Sequence, residues 1–411
     1  MRANEMNKLK TNLKPQIAGC FALLSFIGLV ACPSSIFALG FELPDQDAFA
    51  MARGDAFVAT ADNPSAVYYN PAGITQLDGK HLSVDAYGID YGSSYHGAVG
   101  HIDSKQQLEG LPQVFSSWQL PYNLTWGLGT YSPYGLRYEW PASTPFTVQG
   151  EMGEIDYVTV NPVIAYQIMP GLSVAAGALL SYSEANFKEY LRPPFTPFTL
   201  VNEFRGRDDA AGFNAGILWH PLEKHSFGIN YRSGEDMNYN GHSTDLLAPG
   251  NLKSQANIHF PQMVAFGYSF RPTTNWNIET DAKWTDYSDL REAFVNPQAA
   301  LGDKLAFNWS PSWMLSLGAT RYFGDGWRVS GGFMFSENSV PDADFNPLVP
   351  DSDRYIFSLG LGKSYQHFSW DFSYQMAWGP SRSIGTDNFP PTDGTYSFLS
   401  HALSLNVGYH Y

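Results

Sequence analysis

Cysteine is nearly absent: Cys20 and Cys32 are the only two in 411 residues. A disulfide framework or a thiolate metal site is therefore not expected. Charge is also scarce, at 15% of residues, and unbalanced, with 24 Lys and Arg against 39 Asp and Glu. A formal charge of −15 argues against nucleic-acid binding, which depends on clustered bases. Long apolar runs are missing from the body of the chain, which excludes a bundle of membrane helices needing about 20 apolar residues each. Glycine-rich phosphate loops and dinucleotide fingerprints are absent, as is a Gly-x-Ser-x-Gly elbow. The ten histidines are scattered, with no His-x-x-x-His pair for a metal. Neither a cofactor, a metal nor a catalytic set is expected.

The one apolar run stands at the start. Arg2, Lys8, Lys10 and Lys14 precede apolar Ile17 to Ala31, and small or uncharged residues follow to Ala38. That order predicts a secretory signal peptide over 1–38, cleaved after Ala38. Leu29-Val30-Ala31-Cys32 resembles a lipobox, so lipidation at Cys32 stands as the alternative. Removing four bases and one acid, a net +3, takes the formal −15 to −18. Cleavage after Ala38 also removes both cysteines.

Aromatic residues are plentiful, 24 Tyr, 28 Phe and 11 Trp, and there are 38 Gly. From about residue 80 the chain alternates with period two. Trp276, Ile278, Thr280, Ala282 and Trp284 share one face, and Asn275, Asn277, Glu279, Asp281 and Lys283 the other. Trp370, Phe372, Tyr374, Met376 and Trp378 repeat the pattern. Several such runs last ten residues or more, the length a tilted membrane strand needs. Trp and Tyr close many apolar faces, as at a lipid–water boundary. Short turns such as Pro170-Gly171 and Gly324 to Gly326 alternate with long polar connections. The expectation is a transmembrane antiparallel β-barrel over 79–411, with about 14 strands. Its last strand carries Leu403, Leu405, Val407, Tyr409 and Tyr411 on one face, flush with the C-terminus, a pattern that barrel-assembly machinery would read.

Residues 39–78 do not alternate. About 40 residues rarely fold alone, so this stretch is expected to pack inside the barrel as a hatch. Short helices are expected around Ala48 to Ala52 and from Ala56 to Ala61. Asn70, Pro71 and Ala72 form a corner: proline fixes its own φ and drives Asn70 out of the helical region.

With these residues in view, the sequence resembles the FadL-type family of outer-membrane transporters for long-chain fatty acids and other hydrophobic compounds. "GFELPDQDAFAMARGDAFVATADNPSAVYYNPAG" is similar to the family's hatch with its Asn-Pro-Ala motif. "GLGTYSPYGLRYEWP", "NPVIAYQIMPGLSVAAGALLSY", "GFNAGILWHP" with "FGINYRS", and "VPDSDRYIFSLGLG" follow in family order. The resemblance spans nearly all of the mature chain. It implies a 14-stranded barrel in the outer membrane, plugged by the hatch. Ligand would enter an outer groove, move to an internal apolar pocket and leave sideways where a strand is kinked, passively and without ATP.

Candidate ligand contacts follow. Phe195, Phe198 and Leu200 lie in "LRPPFTPFTLVNEF" (191–204), a segment too apolar for an ordinary solvated loop. Lys188, Arg192 and Lys304 sit near outer strand ends and are candidates to meet a carboxylate; each could equally hold lipid phosphate. Asn70, Pro71 and Ala72 are candidates for gating. Expected partners are hydrophobic small molecules, outer-membrane lipid, lipopolysaccharide and the assembly machinery, with a monomeric barrel. An aromatic hydrocarbon such as toluene, in place of a fatty acid, remains open, as does a general porin for polar solutes.

Overall fold

The structure, a computed structural model, describes residues 40–147, 150–191, 200–244, 251–295, 303–385 and 390–411. The expected signal segment, both cysteines, Arg192, Phe195 and Phe198 lie outside the described residues. Fourteen antiparallel strands form one ring: β1 (Lys80–Gly97), β2 (Gln107–Leu120), β3 (Leu124–Tyr131 with Leu136–Glu139), β4 (Met152–Met169), β5 (Leu172–Leu191), β6 (Leu200–Leu222), β7 (His225–Arg232 with Glu235–Thr244), β8 (Asn251–Phe260 with Gln262–Thr273), β9 (Trp276–Asp286), β10 (Ser312–Tyr322), β11 (Trp327–Ser336), β12 (Arg354–Tyr365), β13 (Phe368–Trp378) and β14 (Gly394–His410). Each pairs with its neighbours in sequence. The ring closes where β1 runs against β14 from His81 opposite His410 to Gly97 opposite Gly394. Beyond them Lys80 and Tyr411 exchange backbone hydrogen bonds of 3.1 and 3.0 Å. No sheet edge is left open there, which lipid would not tolerate.

Burial is inverted relative to a soluble sheet. Large apolar side chains point outward and stay exposed: Phe213 is 53% exposed, Leu359 65% and Leu403 50%. Polar side chains on the alternate face are buried, among them Thr159, Asn161, Asn277, Thr320 and Ser373. Buried polar residues are the informative observation, and here they line the inside of a closed ring. The expected face assignment holds residue by residue in β9, where Trp276 and Ile278 are exposed and Asn277 and Glu279 buried. Short turns join the strands at one end. Tyr122 and Asn123 both have positive φ, 64° and 60°, the geometry of a tight hairpin turn. Long connections gather at the other end, the external one in barrels of this kind.

Residues 40–77 lie within the ring, buried almost throughout. They form a short helix α1 (Ala48–Met51), a second, α2 (Ala66–Tyr69), and a 3₁₀ turn (Pro71–Gln76). Asp47 caps α1 by accepting from the Phe49 and Ala50 N–H groups. Side chains from around the wall hold this segment. Asp85 on β1 accepts from the Ala48 N–H at 2.8 Å. Gln113 on β2 donates to the Asp45 carbonyl, and Gln375 on β13 to its carboxylate. Asn214 on β6 and Asn230 on β7 donate to the carbonyls of Val67 and Tyr68, each at 3.1 Å.

The helix expected from Ala56 to Ala61 does not form. The N–H groups of Phe57 and Val58 donate to Asp281 at 2.7 and 2.9 Å. Those of Ala59 and Thr60 donate to Glu279 at 2.6 and 3.1 Å. Two wall carboxylates thus fix four successive amides, and one i to i−4 bond remains, from the Ala61 N–H to the Phe57 carbonyl at 2.9 Å. Strand β6 also begins earlier than expected, at Leu200. Phe204 is consequently not in a loop: it faces inward and is buried in an apolar cluster with Phe41, Tyr134, Tyr157, Met237 and Phe260.

Candidate functional site

The wall is bonded along most of its height, and the exceptions define the site. Strand β2 pairs with β3 only from Val114 opposite Thr130 to Leu120 opposite Leu124. Toward the external end, Gln107 to Gln113 are bonded to β1 alone. Strand β3 breaks after Tyr131, through Ser132, Pro133, Tyr134 and Gly135, and resumes at Leu136 against β4. Pro133 has no N–H for a ladder. The break turns inward and bonds to the start of the inner segment 40–77. Leu43 N–H donates to the Pro133 carbonyl at 2.9 Å, and Gly135 N–H to the Phe41 carbonyl at 3.0 Å. Gln46 donates from its side chain to the Ser132 carbonyl at 2.9 Å. The inner segment therefore supplies, at Phe41, Leu43 and Gln46, the partners that β2 does not.

A cavity of about 120 Å³ lies behind this interrupted ladder. Leu43, Ile89, Leu111, Leu136, Ile155 and Phe398 give it apolar walls. Side chains bridge the gap in place of backbone bonds: Arg137 pairs with Glu109 at 3.2 Å and with Glu154, and the Tyr91 hydroxyl donates to the Arg137 carbonyl. The cavity adjoins the apolar cluster through Phe41, Tyr134, Ile155 and Tyr157. The external loop 337–353 covers it with Val349 and Pro350. In that loop Asp351 accepts from the Gly40 N–H at 3.0 Å and from Arg354 at 3.1 Å. Burial pushes the Asp351 carboxyl above the usual carboxylate range, against the pull of Arg354.

Below the apolar cluster stands Arg232, on β7. It is 1% exposed. Its guanidinium lies 5.1 Å from the Tyr68 ring centre and 5.2 Å from that of Tyr131. It donates to the Tyr131 hydroxyl, while Nη1 has no hydrogen-bond partner. Among the described residues no carboxylate lies within 4.0 Å of it. Tyr68 stands two positions before Asn70 of the Asn-Pro-Ala corner, and Tyr131 is the last residue before the β3 break, so Arg232 touches the approach to both. The other internal cations are neutralised: Arg53 pairs with Glu279 at 3.3 Å and Lys283 with Glu42.

The corner itself is built as the sequence implies. Asn70 is extended, with φ −163° and ψ 100°, and its side chain accepts from the Ala72 N–H at 3.2 Å. It also donates to the carbonyls of Val58 and of Ile217 on β6, at 2.8 and 3.0 Å. Pro71 begins the 3₁₀ turn, where its missing N–H leaves no bond unmade. Gly216 on β6 lets the corner approach, because a Cβ there would lie 2.3 Å from the Asn70 side-chain oxygen.

The remaining candidates do not converge. Lys188 pairs with Glu151 at 2.9 Å near the external end of β5. Leu200 opens β6 opposite Leu191. Lys304 belongs to a separate two-stranded hairpin, opposite Phe294. Arg232 escaped the sequence reading because a lone arginine in a period-two run has no local mark of burial.

Comparison with known proteins agrees with this architecture. The profile of the family described as outer membrane protein transport protein (OMPP1/FadL/TodX) matches residues 29–411. The chain belongs to that family. It is an outer-membrane β-barrel, and the family is one of transporters for hydrophobic compounds. The long-chain fatty acid transport protein of Salmonella typhi is 23% identical, over 90% of this chain and 92% of its own. The 47 kDa outer membrane protein of Pasteurella multocida is also 23% identical, over 95% and 97%. Among solved structures, a Pseudomonas aeruginosa FadL homologue superposes with a TM-score of 0.81 at 17% identity, over 90% of this chain and all of that one. The Ralstonia pickettii toluene transporter TbuX gives 0.67 at 14% identity, over 88% and 98%. At such identities the structural likeness speaks for the FadL fold alone.

Proposed function

We propose that this FadL-family barrel takes up hydrophobic acids, long-chain fatty acids being the class that fits, by passive movement from an external groove through the internal apolar cluster to a sideways exit at the β3 break. Residues 1–38 would be removed on secretion and residues 39–78 would serve as the hatch. Phe195, Phe198 and Leu200 would belong to the external groove, with Lys188, Arg192 and Lys304 near its rim. An alkyl chain gains roughly 0.8 kcal/mol per CH₂ removed from water, which favours an apolar path over a wet pore.

Arg232 carries the choice of an acid. A buried cation without a counter-ion is costly, and a carboxylate arriving beside the Tyr68–Tyr131 cage would neutralise it with a charge-assisted hydrogen bond to Nη1. A neutral arene offers no such compensation.

Arg232→Gln tests this. Binding of oleate and of oleyl alcohol to the purified barrel would be compared, with uptake of oleate and toluene in cells lacking other routes. Oleate affinity should fall roughly tenfold to a hundredfold, the scale of a lost charge-assisted contact, while the alcohol changes little. Arg232→Lys should restore part of the oleate affinity. Equal losses for acid and alcohol would reduce Arg232 to a structural residue. Uptake of toluene but not oleate by the wild type would replace the acid with the arene.

A further inference from the structure

The outer wall carries a second feature, remote from the ligand path. Four neighbouring strands place outward-facing polar side chains in register toward their external ends. Glu184 on β5 stands opposite Arg207 on β6, which stands opposite Asn240 on β7, which stands opposite Gln255 on β8. The next row outward is Asn186, Arg205, His242 and Lys253. All of these except Asn186 line a shallow groove of about 780 Å³. The outer row contains no acid, and it sets Arg205 beside His242 beside Lys253. Three cations, Arg205, Arg207 and Lys253, thus gather on one patch of a chain that has only 24 Lys and Arg. Arg205 also reaches Glu203 at 2.6 Å, and Glu184 accepts from the Tyr182 hydroxyl at 2.6 Å. Among the described residues, Arg207 and Lys253 have no carboxylate within 4.0 Å.

Height identifies the partner. The outermost lipid-facing aromatic on this face is Tyr182, opposite Asp209 on β6. Arg205 lies four positions beyond Asp209, about 13 Å along a strand at roughly 3.3 Å per residue. With a tilt of about 40°, that places the outer row about 10 Å further from the bilayer centre than the aromatic row. A phospholipid headgroup layer is only about 5–8 Å deep. The groove stands above it, at the level of a larger head.

We propose that this groove binds the phosphorylated sugar head of an outer-leaflet glycolipid, with Arg205, Arg207 and Lys253 as the phosphate contacts and His242, Asn240 and Gln255 facing the sugar. Only the outer-membrane location is needed for this, so it stands or falls apart from the transport reading.

The test uses the full barrel purified in detergent, with bound lipid read by native mass spectrometry. The probes are rough lipopolysaccharide, the same material with its phosphates removed, and inorganic phosphate. The wild type should hold the phosphorylated form roughly tenfold more tightly than the dephosphorylated one. The triple variant Arg205→Gln, Arg207→Gln, Lys253→Gln should lose that preference while remaining heat-modifiable. Inorganic phosphate at equal concentration should not displace the glycolipid. Equal retention of both lipid forms by the wild type would overturn the proposal without recourse to any variant, as would an unchanged preference in the folded triple variant. Displacement by inorganic phosphate would assign the groove to free anions instead.

Discussion

Asn70 ties the inner segment to the barrel wall. Its side chain is buried, and all its polar atoms are used: two donor contacts to Val58 and Ile217, and one acceptor contact from Ala72. Asn70→Ala leaves buried carbonyls short of a donor, at a cost of about 1–3 kcal/mol. Amide hydrogen exchange over 66–76 should then speed roughly tenfold to a hundredfold, because local opening follows the local free energy. Asn70→Asp keeps the acceptor but not the donors, so it should exchange like the alanine variant. Wild-type protection in Asn70→Asp would show that the donor contacts do not hold the corner. The Asn-Pro pair was legible in the sequence because proline constrains its own position and the one before it. The partners of Asn70 were not, since Ile217 is 147 positions away.

Among elements, the hatch stretch 57–60 and strand β9 depend on each other. Glu279 and Asp281 accept four consecutive backbone N–H groups, and Glu279 also accepts from Arg53 and the Thr60 hydroxyl. Replacing both acids with alanine removes every one of these acceptors and leaves Arg53 without its ion pair. The barrel wall should still form, because β9 retains its ladders to β8 and β10. The hatch should loosen, and planar-bilayer recordings should show openings that the wild type lacks. A variant as quiet as the wild type would mean that contacts elsewhere, such as the Gln113 and Gln375 bonds to Asp45, suffice. Alternation in the sequence placed Glu279 and Asp281 on the inner face of β9 correctly. It could not reveal that they would remove the helix expected from Ala56 to Ala61, because local propensity takes no account of acceptors some 220 residues away.

At the scale of the molecule, ring and hatch are separable in principle. The ring closes through β1 and β14 alone, and none of its ladders passes through residues 40–77. Deleting 39–72 behind an intact signal segment should therefore give an assembled barrel with a polar, unplugged lumen. Its single-channel conductance should rise well above that of the full chain, and liposomes containing it should swell in sugars. A deleted barrel that still excludes ions and sugars would mean that external loops seal the lumen.

What the sequence determined by itself is the class of solution. Period-two alternation, scarce charge, abundant aromatics and a single N-terminal apolar run together admit a membrane β-barrel and little else, because each is a local consequence of strands meeting lipid on one face. The count of fourteen strands follows from the same periodicity and from the turn residues between runs. Tertiary structure decided everything that depends on meeting across the ring. It set the break in β3 against the inner segment at Phe41 and Leu43. It brought Tyr68, Tyr131 and Arg232 together from three distant stretches, with no carboxylate among the described residues within 4.0 Å of the guanidinium. It ranked Arg205, His242 and Lys253 in one outer row through registers that no single strand contains. Periodicity says which way a side chain faces; only closure of the ring says what it faces.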